Sequence, residues 1–160
     1  MAEAFVGVGS NQDPVTALRA ATRALQQRFG RVVCSPVYRG PAMGLAAADY
    51  LNVVVRLRTE WAVDVLKAEL AAIEAAAGRD RADPRVVRLD LDLLAYGARV
   101  DAVQRLPRPG LYSLPFVLLP LADVAPDLVH PLTGQRSSAA RAAAPGVELE
   151  NLGALDELSP

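Results

Sequence analysis

Apolar residues recur along the chain with either a two-residue or a helical period, and the change between the two periods predicts strands and helices. Short apolar or alternating runs of five to ten residues predict strands, whereas apolar residues spaced three and four apart predict helices. Asp13 and Pro14 offer an N-cap and a first helical residue, and Gly78 ends the second helix. The predicted elements are strand 4–9, helix 14–29, strand 31–38, strand 50–58, helix 62–77 and strand 86–95.

The order strand, helix, strand, strand, helix, strand is typical of a ferredoxin-like α+β sandwich. We therefore expect a βαββαβ fold with a mainly antiparallel sheet, helices on one face, and the other face available to ligands. Residues 116–125 predict a further short helix. Residues 136–160, rich in alanine and acidic residues, predict a weakly structured tail of a single domain that spans 1–160.

Strand 86–95 alternates leucines with the charged residues Arg88, Asp90 and Asp92. Residues two apart on a strand point the same way, with Cα atoms roughly 6.6–7 Å apart. Two carboxylates so placed converge on hard cations, and magnesium suits such a site because it binds through carboxylates and substrate phosphates. A solvated polar strand face explains the same spacing, although aspartate is poorly suited to strand interiors. The pair predicts a metal site and leaves that alternative open.

Arginines are concentrated just before this pair, at positions 79, 81, 85 and 88. Guanidinium groups bind phosphates in bidentate fashion. Carboxylates that hold a metal, together with arginines, are typical of phosphoryl transfer, where catalysis consists of positioning and charge neutralisation. Solubility, or pairing with the acidic residues between them, is the alternative role for these arginines.

Two smaller patterns concern ligand binding. Gly7-Val8-Gly9-Ser10-Asn11 lacks the Gly-Lys-Ser/Thr ending of a phosphate-binding loop, so a tight turn into the first helix is favoured. Tyr50 and Asn52 share a strand face, where a ring and an amide side by side suit a flat heterocycle. Taken alone, the second pattern is better explained by an ordinary loop and strand.

Composition narrows the classes of partner. The chain of 160 residues has 17 basic and 18 acidic residues, so it lacks the basic excess of a nucleic-acid binder. Its single cysteine and single histidine disfavour disulfides and zinc sites. No run approaches the ~20 apolar residues of a membrane helix. We expect a cytoplasmic monomer that acts on small molecules, with neither nucleic acid nor membrane as a partner.

Several short blocks, in this order and spacing, resemble the hydroxymethyldihydropterin pyrophosphokinases of the folate pathway. They are Val8-Gly9-Ser10-Asn11, Tyr38-Arg39-Gly40-Pro41, Asp49-Tyr50-Leu51-Asn52, Ile73-Glu74, Gly78-Arg79-Asp80-Arg81, the run from Arg88 to Gly97, and the run from Phe116 to Asp127. The resemblance implies a ferredoxin-like fold, two Mg²⁺ ions, and ATP as co-substrate. It also implies attack of the pterin hydroxymethyl oxygen on the β-phosphorus of ATP, with AMP as the leaving group.

The resemblance assigns roles to individual residues. It implies that Asp90 and Asp92 hold the metals and that Arg79 and Arg88 assist catalysis. The implied pterin pocket consists of Gly40, Pro41, Met43, Tyr50, Asn52 and Phe116. The implied ATP site consists of Glu74, Arg79, Arg81, Arg88 and Arg108.

The chain departs from the family pattern at four places. The loop before the aspartates is about two residues shorter and lacks a tryptophan, and Arg108 replaces a phosphate-contacting histidine. Leu114 replaces a later arginine, and Gly40 replaces a threonine. The missing tryptophan and Leu114 favour an alternative, a catalytically weakened or inactive pterin- or nucleotide-binding module, whereas the retained aspartate pair favours an enzyme. A purely structural domain explains neither the aspartates nor the arginines.

Overall fold

The structure, a computed structural model, describes residues 1–42, 44, 46–144 and 149–160. Its elements in chain order are β1 (Ala2–Ser10), α1 (Pro14–Phe29), β2 (Val33–Cys34), β3 (Val37–Gly40), β4 (Tyr50–Thr59), α2 (Val63–Ala76), β5 (Asp90–Tyr96), α3 (Pro115–Val124), α4 (Ser137–Ala143), β6 (Glu150–Gly153) and a 3-10 turn at Leu155–Glu157. No helix within these residues is long and apolar enough to cross a bilayer.

The strands form a sheet in the order β5-β1-β4-β3-β6, with β2 also paired to β4. Every pairing between them is antiparallel, and β1 lies between β4 and β5. The predicted strand 31–38 is divided at Ser35, whose hydroxyl accepts the hydrogen bond from Val54 N at 2.9 Å. With β2 and β3 taken as one interrupted strand, the βαββαβ order and the α+β fold class are confirmed.

One face of the sheet packs against α1 and α2 to form the larger core. Alternate residues of β1, β4 and β5 point into it, and both helices contribute leucines that are almost completely buried, such as Leu18 and Leu66. Burial of these apolar stripes is what holds the helices to the sheet. Helix α1 has the predicted bounds, although the Asp13 side chain makes no capping hydrogen bond because its backbone is left-handed, with φ 45°.

The opposite face is partly covered, which corrects the expectation of helices on one face only. Helix α3 buries Val117 and Leu121 against Phe5, Val54 and Leu94 of the sheet. The sequence of α3 is apolar on nearly all sides of the helix, so the helix is stable only where apolar residues contact it. Phe5, Val54 and Leu94 provide such contacts at one end of this sheet face. The other end of this sheet face carries Asp90, Asp92, Asn52 and Tyr50, and it forms a cleft.

The C-terminal tail has more regular structure than its composition predicts. Helix α4 packs on α3, and β6 extends the sheet by pairing with β3. Leu155 is buried, and the Arg19 guanidinium donates to the Leu155 carbonyl at 3.1 Å. The β3–β6 pairing and the Arg19–Leu155 contact join residues more than a hundred positions apart, so the local sequence of the tail does not reveal them.

Candidate active site

The two aspartates of β5 lie beside two glycines of β1. Asp90 is opposite Gly9 and Asp92 is opposite Gly7, so the glycines are inside a strand rather than in the predicted turn. A Cβ added to Gly9 would lie 2.6 Å from Asn52 Oδ1. Glycine at this position therefore leaves space between the carboxylates of β5 and the polar side chains of β4.

Glu74, near the end of α2, is a third carboxylate of this cluster. Its Oε2 accepts a hydrogen bond from Leu91 N at 2.8 Å, and its side chain is only 10% exposed. Burial raises the pKa of Glu74, and the charge of Asp90 raises it further, whereas the Leu91 amide and Arg79 lower it. The bond to Leu91 fixes α2 to β5 at the centre of the site.

Arg79 connects two of the carboxylates. Its Nη1 donates to Asp90 Oδ1 at 3.2 Å and to the Leu89 carbonyl at 2.8 Å, and it lies 3.6 Å from Glu74 Oε2. Gly78, with φ 84°, turns the chain from α2 toward β5. Arg79 therefore holds the end of the helix and neutralises part of the negative charge.

The pKa of Asp92 is strongly raised by its surroundings in the cluster. Burial, followed by the charge of Asp90, raises its pKa from 3.8 to about 6, although Arg108 opposes the shift. Arg108 Nη1 lies 3.2 Å from Asp92 Oδ1. Three carboxylates thus lie close together, and a cation bound between them would relieve the repulsion that helps to raise the pKa of Asp92.

The donor set fits magnesium bound jointly with a substrate. Asp90 and Asp92 supply hard oxygen ligands, which Mg²⁺ prefers. Among the described residues no group of three or more His, Cys, Asp or Glu side chains is arranged to hold a metal. Further ligands would then come from water and from phosphates, as is usual for Mg²⁺.

Two residues of the predicted pterin pocket, Asn52 and Phe116, lie at the cleft beside Asp92. A cavity of about 40 Å³ is lined by Asn52, Asp92, Arg108 and Phe116. The Tyr50 ring adjoins Asn52, since both side chains approach the position of a Gly9 Cβ. Burial raises the pKa of Tyr50, and the nearby charge of Asp90 raises it further.

The loop side of this pocket is described in part. Gly40 lies opposite Tyr50 in the β3–β4 ladder, and Pro41 follows it directly. Met43, which the resemblance also assigns to the pterin pocket, lies outside the described residues.

A second cleft of about 240 Å³ lies on the other side of Asp92. Lys67, Glu74, Arg105 and Arg108 line it together with Asp92. Lys67 and Arg105 were not predicted from the sequence. Lys67 precedes Glu74 by seven residues, two helical turns, and that spacing was a usable signal, whereas the loop position of Arg105 has no such signal.

Other predicted site residues are not drawn into the cluster. Arg81 is 74% exposed and reaches no closer than 4.0 Å to Glu74, and Arg85 pairs with Asp83. Arg88 lies before β5, because the strand begins at Asp90 rather than at 86, and its side chain is exposed and passes close to Gly78.

Leu114, at the position where the resemblance implies an arginine, packs against the smaller core over Gly110. An apolar contact thus stands where the resemblance leads us to expect a charge.

Comparison with known proteins identifies the family. The sequence model of 7,8-dihydro-6-hydroxymethylpterin-pyrophosphokinase (HPPK) matches residues 5–126. The chain belongs to this family. A 2-amino-4-hydroxy-6-hydroxymethyldihydropteridine pyrophosphokinase from Synechocystis sp. is 42% identical over 140 residues, covering 82% of this chain and 71% of the relative. One from Haemophilus influenzae is 36% identical over 138 residues, covering 82% and 86%.

The fold agrees with solved HPPK structures. The Plasmodium falciparum HPPK-DHPS wild-type structure superposes with a TM-score of 0.69 at 10% identity, over 87% of this chain and 44% of that one. The present chain thus spans less than half of that protein, and the likeness concerns the fold. Family membership confirms the resemblance and the pyrophosphokinase function, transfer of pyrophosphate from ATP to hydroxymethyldihydropterin in folate biosynthesis.

Proposed function

We propose that this HPPK chain is an active, magnesium-dependent enzyme in which Asp90 and Asp92 hold the metal between a pterin site and an ATP site. One observation supports the proposal above the others. Asp92 and Arg108 line both the 40 Å³ cavity and the 240 Å³ cleft. A group transferred between two substrates must pass through a point that both can reach, and these side chains lie at such a point.

The smaller cavity and its open mouth form the pterin side. Asn52 hydrogen-bonds the edge of the heterocycle, and Tyr50 and Phe116 contact its faces, since aromatic rings stack on flat ligands. Gly40 and Pro41 border this side next to Tyr50. The cavity is much smaller than the ~300 Å³ of ordinary ligand pockets, so the bound pterin extends into the mouth of the cleft.

The larger cleft forms the ATP side. Arg108 and Arg79 are the cations nearest the carboxylates, and Lys67 and Arg105 add positive charge along the cleft. Arg81 and Arg88 lie outside it in this structure, and both side chains are exposed and able to approach bound phosphates. Glu74 keeps Arg79 in place through their 3.6 Å contact.

The reaction forms a bond from the pterin hydroxymethyl oxygen to the β-phosphorus and breaks the bond from that phosphorus to the oxygen that leaves with AMP. Bound Mg²⁺ would neutralise charge on the polyphosphate and make the hydroxyl more acidic. The hydroxyl proton passes to a carboxylate oxygen of the cluster.

The experiment is a component-omission assay on the purified chain. Protein, Mg²⁺, ATP and 6-hydroxymethyl-7,8-dihydropterin together should release AMP, and omission of the pterin or addition of EDTA should stop the release. AMP release that persists without the pterin would show ATP hydrolysis, and release that persists in EDTA would remove the metal from the proposal.

A weakened or inactive binding module is the second candidate. The ion pairs Arg79–Asp90 and Arg108–Asp92 favour it, because they occupy both carboxylates intended for metal. Pterin binding measured by fluorescence, with no AMP formed in the complete mixture, would establish the module in place of the enzyme. A cytoplasmic location and a monomeric state are further proposals, which rest on the composition.

A further inference from the structure

The C-terminal segment reaches the pterin side of the sheet. Strand β6 pairs with β3, with Arg39 opposite Glu150 and their side chains in an ion pair. Leu149 directly precedes β6, and Gly40 is the last residue of β3. A Cβ added to Gly40 would overlap Cδ2 of Leu149, and Leu149 Cγ would be 3.8 Å away. The leucine side chain therefore occupies the space in which a side chain at position 40 would lie.

That space is on the face of the sheet that carries the pterin-side residues. Gly40 is opposite Tyr50, and Tyr38 is opposite Asn52. Residues directly opposite in an antiparallel ladder project to the same face. Leu149 accordingly lies next to Tyr50 and on the same side of the sheet as Asn52.

The position of Leu149 is fixed by the residues that follow it. Glu150 and Asn151 are held by the β3 ladder, and Gly153 N donates to Asn151 Oδ1 at 2.9 Å. The Arg19 guanidinium donates to the Leu155 carbonyl at 3.1 Å. A side chain anchored in this way is suited to form part of a binding wall.

We propose that Leu149 forms one wall of the pterin pocket, and that Gly40 is required because it leaves room for this leucine. This inference rests on the proposed function. It makes the C-terminal segment part of the substrate site: Leu149 supplies an apolar contact to the heterocycle, and its removal weakens binding of pterin but not of ATP.

The test is a double-mutant cycle read by pterin fluorescence and by steady-state kinetics. Leu149→Ala should raise the pterin Kd about five-fold, since it removes about 1 kcal/mol of apolar contact, and should leave the KM for ATP unchanged. Gly40→Ala should also weaken pterin binding, because its Cβ displaces Leu149. Gly40 is not in the left-handed region, so alanine is compatible with its backbone.

The two effects should not multiply. In the Leu149→Ala background, Gly40→Ala should change the pterin Kd less than two-fold, and Leu149→Met should retain binding. Leu132→Ala, at a leucine that is 66% exposed, is the matched control. Unchanged pterin binding in Leu149→Ala, multiplying effects, or an equal rise in the ATP KM would each overturn the inference. Failure of the unmodified chain to bind pterin would overturn the proposed function as well.

Discussion

Asp92→Asn is expected to inactivate the enzyme and, at neutral pH, to stabilise the fold. Burial and the charge of Asp90 raise the pKa of Asp92 from 3.8 to about 6. The folded chain therefore binds this proton more tightly than the unfolded chain does. The resulting destabilisation is absent below pH 3.8, grows as the pH rises, and is complete above pH 6.

The size of the pKa shift of Asp92 determines how much stability the substitution should add. At about 1.4 kcal/mol per pKa unit it corresponds to at most ~3 kcal/mol of stability lost above pH 6. The Asp92 side chain is 32% exposed, so solvent reduces this value, and the opposing charge of Arg108 is already contained in the shift. A gain of about 1–2 kcal/mol remains, which raises the melting temperature by about 3–6 °C in a chain of this length.

Thermal unfolding followed by circular dichroism, without ligands, tests this reasoning at two pH values. Asp92→Asn should melt above the unmodified chain at pH 8, and the difference should nearly vanish at pH 4. Asp127→Asn, at a side chain that is 84% exposed, is the matched control and should show no gain at either pH. A lower melting temperature at pH 8, or an equal gain at both pH values, would refute the electrostatic explanation.

Three further substitutions test other parts of the site. Phe116→Ala should raise the pterin KM about ten-fold without altering the ATP KM, because only the pterin side loses a stacking ring; equal changes in both steady-state constants would contradict this. Arg79→Ala should lower the free energy of unfolding in urea by about 2 kcal/mol, since it removes the ion-pair partner of the buried Glu74 and of the partly exposed Asp90, whereas the exposed Arg81→Ala should change it by less than about 0.5 kcal/mol. Tyr38→Phe should cost about 1–2 kcal/mol in the same assay by removing the 2.5 Å hydrogen bond to Asp123, and an unchanged urea midpoint would show that this bond contributes nothing.

The sequence predicts those features that depend on the local spacing of apolar residues and on the residues that begin or end an element. Helix α1 has its predicted bounds because Pro14 and Gly30 mark its ends. The face shared by Asp90 and Asp92 follows from the two-residue period of β5. The start of β5 was wrong because Val87 is paired by a loop rather than by a strand: its amide donates to Asn11 Oδ1 at 2.7 Å, and its carbonyl accepts from Asn11 N at 3.0 Å.

The parts of the site that the sequence does not predict come from distant segments. Arg105 reaches the cleft from an irregular loop, and Leu149 reaches Gly40 only because β6 adds to the sheet edge. Neither residue belongs to a periodic pattern that indicates its position. Arg88 was misplaced by the opposite kind of error. The two-residue alternation of the strand was extended to residues before Asp90, which predicted Arg88 on the same face as the aspartates, whereas the structure puts its side chain beside Gly78.

The role of the aspartate pair is tested most directly by the initial rate of AMP formation as a function of Mg²⁺ concentration. The unmodified chain should show saturable, Mg²⁺-dependent AMP release with ATP and hydroxymethyldihydropterin. Asp90→Asn and Asp92→Asn should each lower that rate by at least about a hundred-fold while Asp127→Asn keeps it. Rates within about three-fold of the unmodified chain in both active-site variants would contradict the assignment of the reaction to Asp90 and Asp92.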